Sequence, residues 1–389
     1  MKASVEIACR TLIRKLLRLF FIFPIRQNRI MMSSYNHAIG YTCNPKYICE
    51  YLKRFDPNGY ELIWAYEEPE KWHIKGTRSV RMHSLSWLYY LLTSSVVIYN
   101  RNPEAYLPKR RGQLVINTWH AGGAYKKVGF ENATLGKLDL WRARQINDYV
   151  DLFLSSCEAF TRSNIEGYHY TGEVLNSGMP RNDFFFRPKA VSKVSARVRA
   201  TYGAKADSLV ILYAPTYRRN VTDPQARGIS FPYEKVTDAL ADADVRIWRR
   251  EHHEDFNTYE EGNAVDVSAH PDMQDLLAAA DILITDYSSS IWDFALLGRP
   301  CFLYVPDLED YIDRDRGFFT PIEEWPGFIC RNDAELLEAL KACARDEEPF
   351  SRADAAEKAA RHLAALGSYE DGYASERVCR RIREWVENR

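Results

Sequence analysis

LITDYSSSIWDFALLGRPCFLYVPDLEDY, residues 283–311, decides the fold. A short apolar run, Ile282 to Ile284, ends in Thr285-Asp286, and three serines lead from there into an amphipathic run. That order spells a strand, a tight turn and a helix start. Ser290 and Asp293 have the spacing of a capping box. A second apolar run, 301–305, follows Gly298-Arg-Pro as a further parallel strand and enters an acidic Asp-Leu-Glu-Asp-Tyr loop. The first turn of a helix offers unpaired N–H groups and a positive dipole end, and serine hydroxyls add donors without bulk. The stretch therefore points to a phosphorylated ligand held at the carboxyl end of a parallel strand. Asp286 and Asp293 would repel phosphate. Their expected task is to orient hydroxyls or backbone, or to meet a ligand hydroxyl.

The same alternation extends outward in both directions. Strands are expected at 29–35, 60–67, 96–100, 113–120, 151–156 and 173–178, with helices at 44–55 and 84–95. A polar stretch with two prolines, 179–193, ends that series. A second series follows: a strand plus loop at 208–218, a helix at 233–243, a strand at 245–253, a helix at 273–280 and a strand at 281–287. Alternation on this scale implies α/β architecture with parallel sheets covered by helices. The expected organisation is two Rossmann-like domains, 29–188 and 189–389, facing a central cleft, with residues 1–28 as a separate amphipathic segment. No G-x-G-x-x-G or P-loop occurs, which argues against a dinucleotide dehydrogenase or an NTPase.

Bulk properties agree. A chain of 389 residues exceeds one ordinary core, and 46% hydrophobic with 13% aromatic residues is the composition of a folded protein. A net charge of −1 gives no bulk attraction to nucleic acid. The eight cysteines are scattered, without CxxC or zinc spacing, so buried thiols are expected and no metal or cofactor is. Residues 9–23, CRTLIRKLLRLFFIF, place Arg10, Arg14 and Arg18 on one helix face with Lys15, opposite Leu12, Ile13, Leu16, Leu17 and Phe20. The run is too short and too charged to span a bilayer. It suits an anionic membrane surface, or packing against its own domain or an oligomer partner.

Ligands in open α/β sheets bind outside the carboxyl ends of the strands. Three expected strand ends carry chemistry. His120 leaves one strand into Ala121-Gly122-Gly123, where the backbone can approach a ligand closely. Thr216 and Arg218 sit just past another. The third, RREHHEDF at 249–256, brings His252 and His253, of which only one can face a cleft from an extended chain.

TWHAGGAYKKVG (118–129), SGMPRND (177–183), YAPTYR (213–218), RREHH (249–253) and the run 283–319, in that order, resemble the CDP-glycerol glycerophosphotransferase family of teichoic acid synthesis. SSYNHAIGYTCNPKYICEYL (33–52) and the approach KRRGQLVINTWH (109–120) match as well. The resemblance runs from about residue 29 to about residue 375. It implies a GT-B fold and a peripheral enzyme on the cytoplasmic face of the cell membrane. Such an enzyme moves glycerol phosphate, or another polyol phosphate, from a CDP-activated donor to a hydroxyl of an undecaprenyl-type lipid-linked saccharide, releasing CMP. It further implies that His120 is the family's essential Trp-His histidine, that His252 is its second histidine, and that Thr285, Ser288 and Ser289 hold the donor phosphates. Gly122, Thr216, Arg218, Asp286 and Asp293 complete the expected donor site, with His120 as general base. Two departures stand out: Trp-His-Ala replaces the frequent Trp-His-Gly, and His253 leaves the assignment of the second histidine open. A GT-B glycosyltransferase using a nucleotide sugar is the alternative. The polyol, the number of additions and the oligomeric state are left open.

Overall fold

Short runs rich in Val, Ile and Leu, buried on both faces, are what a parallel sheet covered by helices requires. The computed structural model describes residues 2–34, 40–102, 104–216, 231–250, 264–314 and 317–389. In it those runs form two all-parallel sheets. The first contains β1 (Arg26–Ser33), β2 (Glu61–Tyr66), β3 (Arg78–Arg81), β4 (Ser94–Tyr99), β5 (Leu114–Asn117), β6 (Leu152–Ser155) and β7 (Glu173–Asn176), in the order β3-β2-β1-β4-β5-β6-β7. The second contains β8 (Leu209–Tyr213), β9 (Val245–Arg249), β10 (Val265–Asp266), β11 (Ile282–Thr285), β12 (Cys301–Tyr304) and β13 (Phe328–Cys330), in the order β10-β9-β8-β11-β12-β13. Strand order reverses between β1 and β4 in one sheet and between β8 and β11 in the other. A reversal opens a crevice at the carboxyl ends, where α/β proteins take their ligands.

Contacts divide the chain into two units: Met1–His120 with Lys127–Asp183 and Tyr369–Arg389, and Ala121–Lys126 with Phe184–Ser368. Each sheet has its own core. Trp64, Ile30, Ile98 and Leu154 lie at the centre of one, and Ile211, Ile284, Phe302 and Leu336 at the centre of the other. The short excursion Ala121–Lys126 immediately follows His120.

Several expected elements stop early. The strand expected to reach His120 ends at Asn117, and Trp119 takes a left-handed φ of 51°. The strand expected at 245–253 ends at Arg249. Arg218, His252 and His253 lie outside the described residues. The helix after the serines spans Ser290–Ala295, and Ser289 occupies the cap position without a side-chain cap bond. The spacing of Ser290 and Asp293 therefore has another use, taken up below.

The amino-terminal helix begins earlier than expected, at Lys2–Leu17, and continues as a 3-10 turn over Arg18–Ile22. Of its basic row, Arg10 and Arg14 are turned toward the protein and Lys15 and Arg18 are exposed. Arg10 pairs with Glu6 at 2.9 Å and lies over the Tyr106 ring. Arg14 donates to Gln145 Oε1 at 3.1 Å and lies over Trp141 and Tyr149. The apolar row is divided: Leu17 and Phe20 pack against the core of the first unit, whereas Leu12, Ile13 and Leu16 are exposed, as are Leu19 and Ile22 in the following turn, at 72% and 80%. Among the described residues no helix is long and apolar enough to cross a membrane.

Candidate functional site

Within the second unit, the loops after β8 and β11 meet at the switch point. Asp286 is buried and gathers donors from both loops. Its Oδ1 accepts from the Thr216 N–H at 2.9 Å, from Thr216 Oγ1 at 2.5 Å and from the Tyr287 N–H at 2.5 Å, and Oδ2 also accepts from the Thr216 N–H at 3.0 Å. A carboxylate can accept at several lone pairs, so one side chain locks two loops. It thereby orients the Thr216 hydroxyl and the backbone of both loops. Thr285 is fully buried, and its hydroxyl donates to the Ala214 carbonyl at 2.6 Å. Asp293 is also buried, and its Oδ2 accepts from Gln274 Nε2 at 2.9 Å, a bond to the helix Met273–Ala279. The acid that sequence spacing assigned to a cap therefore ties two helices together.

Ser288 and Ser289 are the members of the motif that remain half-buried at the loop. Ser290 donates its hydroxyl proton to Ser288 Oγ at 3.0 Å. Tyr287 turns away from them. Its hydroxyl donates to Asp307 Oδ1 at 2.8 Å, and its ring stacks on Tyr311 with centroids 3.7 Å apart.

The segment Ala121–Lys126 packs on the helix that follows these serines. A Cβ at Gly122 would lie 2.0 Å from Trp292 Cδ1, and Gly123 has a φ of 68° with Trp292 and Tyr125 beside it. Gly122 is buried, and close packing on the indole leaves no room there for a side chain. Farther along, Phe319 N–H donates to the Tyr125 carbonyl at 2.8 Å, and Thr320 Oγ1 donates to the Ala124 carbonyl. The Tyr125 hydroxyl meets His362 Nε2 at 3.0 Å, while His362 Nδ1 meets the Glu324 carbonyl at 2.7 Å. A carbonyl only accepts, so Nδ1 carries the proton and Nε2 accepts from Tyr125. Burial pushes His362 down to about 4, partly offset by the Glu324 carbonyl, so the ring is neutral near pH 7.

Within the first unit, His120 follows β5 by three residues. Its Nδ1 lies 2.8 Å from the carbonyl of Asn100, just beyond β4, and its ring stacks on Trp119 with centroids 5.0 Å apart. The carbonyl again assigns the proton to Nδ1, so in the neutral ring Nε2 is the basic nitrogen. The half-buried imidazole thus has the tautomer of a general base. Sequence reasoning missed two supports. Asn44, at the start of the helix Cys43–Phe55, bonds the backbone that leads to His120. SGMPRND is not just a boundary. Glu370 accepts from the Met179 N–H and from Asn182 Nδ2, and Asp183 accepts from the N–H groups of Ala374 and Ser375 at the start of the helix Ala374–Glu387. The only local hints were an Asn-Pro pair opening a helix and a polar run with no strand pattern. Among the described residues no group of three or more His, Cys, Asp or Glu could hold a metal ion.

Two parallel α/β sheets, each with a switch point, define a protein of the GT-B class. The chain belongs to the CDP-Glycerol:Poly(glycerophosphate) glycerophosphotransferase family, which it matches over residues 15–384. It is accordingly a transferase, as the sequence resemblance implied. It is 29% identical to a teichoic acid poly(glycerol phosphate) polymerase of Bacillus spizizenii over 360 residues, covering 87% of this chain and 91% of that protein. It is 28% identical to a teichoic acid ribitol-phosphate primase of the same organism, covering 92% and 91% of the two chains. A solved structure of the wall teichoic acid polymerase TagF has the same fold, with a TM-score of 0.84 at 24% identity, over 100% of this chain and 97% of that one.

Proposed function

We propose that this chain transfers glycerol phosphate, or a related polyol phosphate, from a CDP-activated donor to a hydroxyl of a lipid-linked saccharide, releasing CMP, in the assembly of teichoic acid or a similar surface polymer. The observation that carries this reading, within the family the chain belongs to, is the His120 imidazole, set by the Asn100 carbonyl with its lone pair on Nε2.

The acceptor hydroxyl attacks the β-phosphorus. A new O–P bond forms, the bridging P–O bond on the β side breaks, and CMP leaves with that electron pair. The acceptor proton passes to His120 Nε2. Little covalent chemistry is asked of the protein, so positioning and charge neutralisation supply most of the acceleration. Ser288 and Ser289 are the proposed donors to the diphosphate, on a loop that Asp286 and Thr216 hold in place. Arg218 and His252, outside the described residues, would supply the positive charge. Thr285 and Asp293 act beneath the site, as loop and helix ties.

The enzyme works as a peripheral protein at the cytoplasmic face of the cell membrane. With Arg10 and Arg14 committed to the protein, attachment comes mainly from inserting Leu12, Leu16, Leu19 and Ile22, at about 1.5–3 kcal/mol per fully buried side chain. Lys15 and Arg18 are exposed on the same helix and turn, and remain to meet anionic headgroups.

Incubation with CDP-glycerol, CDP-ribitol and UDP-sugars, with acceptor in anionic vesicles, tests the reading. Expected is CMP release from a CDP-polyol and none of UDP. Release of UDP with sugar transfer would replace it with a glycosyltransferase. Leu16→Asp with Leu19→Asp should free the protein from vesicles yet spare turnover on a soluble acceptor analogue. Unchanged sedimentation would remove this helix as the anchor.

A further inference from the structure

Asn44 is fully buried, 74 residues before Thr118 in the chain, yet its carboxamide lies against the backbone that carries His120. Nδ2 donates to the carbonyls of Thr118 at 3.1 Å and Trp119 at 2.9 Å. Oδ1 accepts from the N–H of Arg181 at 3.1 Å. Turning the amide over would set its oxygen against two carbonyls and its NH₂ against an N–H. The network therefore fixes the orientation.

What the amide holds is an unfavourable backbone. Trp119 has a φ of 51°, a region that a bulky aromatic residue enters only when its surroundings hold it there. Three side chains do so. Asn117 Oδ1 accepts from the Trp119 N–H at 2.9 Å, and at the other end of the same residue the carbonyl accepts from Asn44 Nδ2 at 2.9 Å and, from within the loop itself, from Thr118 Oγ1 at 3.1 Å. The Trp119 carbonyl belongs to the peptide that enters His120. If Trp119 relaxed to an extended conformation, that peptide would rotate, and the imidazole would leave its 2.8 Å bond to the Asn100 carbonyl. The buried amide thus acts on the direction of the base through one residue.

We propose that Asn44 is a positioning residue for His120: by holding the Thr118 and Trp119 carbonyls it keeps Trp119 left-handed and the imidazole aimed. It touches neither substrate nor the reacting atoms. The proposal rests on the reading of His120 as general base. A plain structural clamp joining three chain segments would use the same bonds, so the test must separate stability from aim.

A double-mutant cycle does this. Asn44→Asp keeps an oxygen facing the Arg181 N–H and removes the amide donors to both carbonyls, leaving the Thr118 hydroxyl on that of Trp119. Asn44→Ser is the second variant should the carboxylate prevent folding, since its hydroxyl offers a single donor. Each is made alone and with His120→Ala. CMP release at saturating donor, donor KM and thermal melts are measured on protein shown to be folded. Expected is a kcat about 10- to 100-fold lower in the His120 background, the scale of a misplaced reacting group, with donor KM within about twofold. In the His120→Ala background no further loss is expected. Lowering the pH should also raise the kcat of Asn44→Asp relative to the parent enzyme, because a protonated carboxyl can donate to one carbonyl. Equal fold losses in both backgrounds, or near-parental kcat in a folded variant, would overturn the proposal. Near-normal turnover of His120→Ala by itself would remove the base reading, and the proposal with it.

Discussion

The loop after β5 and the loop after β11 both leave a parallel sheet, yet they are fastened by opposite chemistry. Around His120 the fasteners are carboxamides. Asn44 serves two carbonyls and one N–H, and Asn117 serves the Trp119 N–H. Around Ser288 the fastener is a carboxylate, Asp286, which among the described residues accepts from the N–H and O–H of Thr216 and the N–H of Tyr287. An amide can hold a backbone that presents carbonyls, and a carboxylate can hold only one that presents donors. The first loop is bent around one aimed side chain. The second is drawn tight below a row of hydroxyls. An acid beside a proposed phosphate site is therefore no contradiction, because its lone pairs are occupied by the protein's own donors.

The largest expected effect lies on the first loop. His120→Ala should lower turnover by about 10²–10⁴-fold, the usual scale for a general base, with an unchanged melting temperature. CMP release near the parental rate would remove the role. On the second loop, Asp286→Ala should cost stability rather than chemistry alone. It strands the buried Tyr287 N–H, at about 1–3 kcal/mol, and the part-buried donors of Thr216 at less, and urea unfolding would show it. A stability loss below about 1 kcal/mol would mean that water replaces the carboxylate, and that the two loops are not locked by it.

His362 joins the comparison because it anchors the segment that runs on from His120. Its proton affinity is depressed to about 4 in the folded protein against about 6.5 when unfolded. The unfolded chain therefore binds the extra proton first. The stability that goes with the neutral ring is complete above about pH 6.5 and is lost as pH falls toward about 4. Replacing it in His362→Gln should flatten that part of the stability–pH curve, by an amount on the order of 3 kcal/mol at most. Parallel curves for both proteins would show that the ring does not titrate as described. The smallest effect belongs to the hydroxyls. Ser288→Ala with Ser289→Ala should raise donor KM about 30-fold, near 1 kcal/mol for each lost hydrogen bond, with kcat changed less. An unchanged KM would place the diphosphate elsewhere.

Sequence periodicity was enough for the strands that carry these loops, since an apolar run ending in a polar turn is a local signal. Other features depend on partners far along the chain. β3, with the sequence Arg-Ser-Val-Arg, and the two-residue β10 are edge strands without an apolar run, so no pattern announced them. The helix Ala374–Glu387 joins the first unit through partners far along the chain, Asp183 and the segment bonded by Glu370, so no local pattern assigned it there. The amino-terminal helix is most instructive. Its period reveals two faces, but not which one meets the protein. Gln145, Trp141 and Tyr149 receive the guanidinium of Arg14, and that choice leaves Leu12 and Leu16 outside while Leu17 packs on the core. Gly122 likewise has a packing partner that no local pattern announced, the Trp292 indole.

Phosphorus NMR of a single reaction, with CDP-glycerol and a saccharide acceptor, tests the central claim most directly. Expected is one CMP and one new phosphodiester for each donor consumed, at a rate that collapses in His120→Ala. Release of CDP with no new phosphodiester, or parental rates of CMP and phosphodiester formation in the variant, would contradict it.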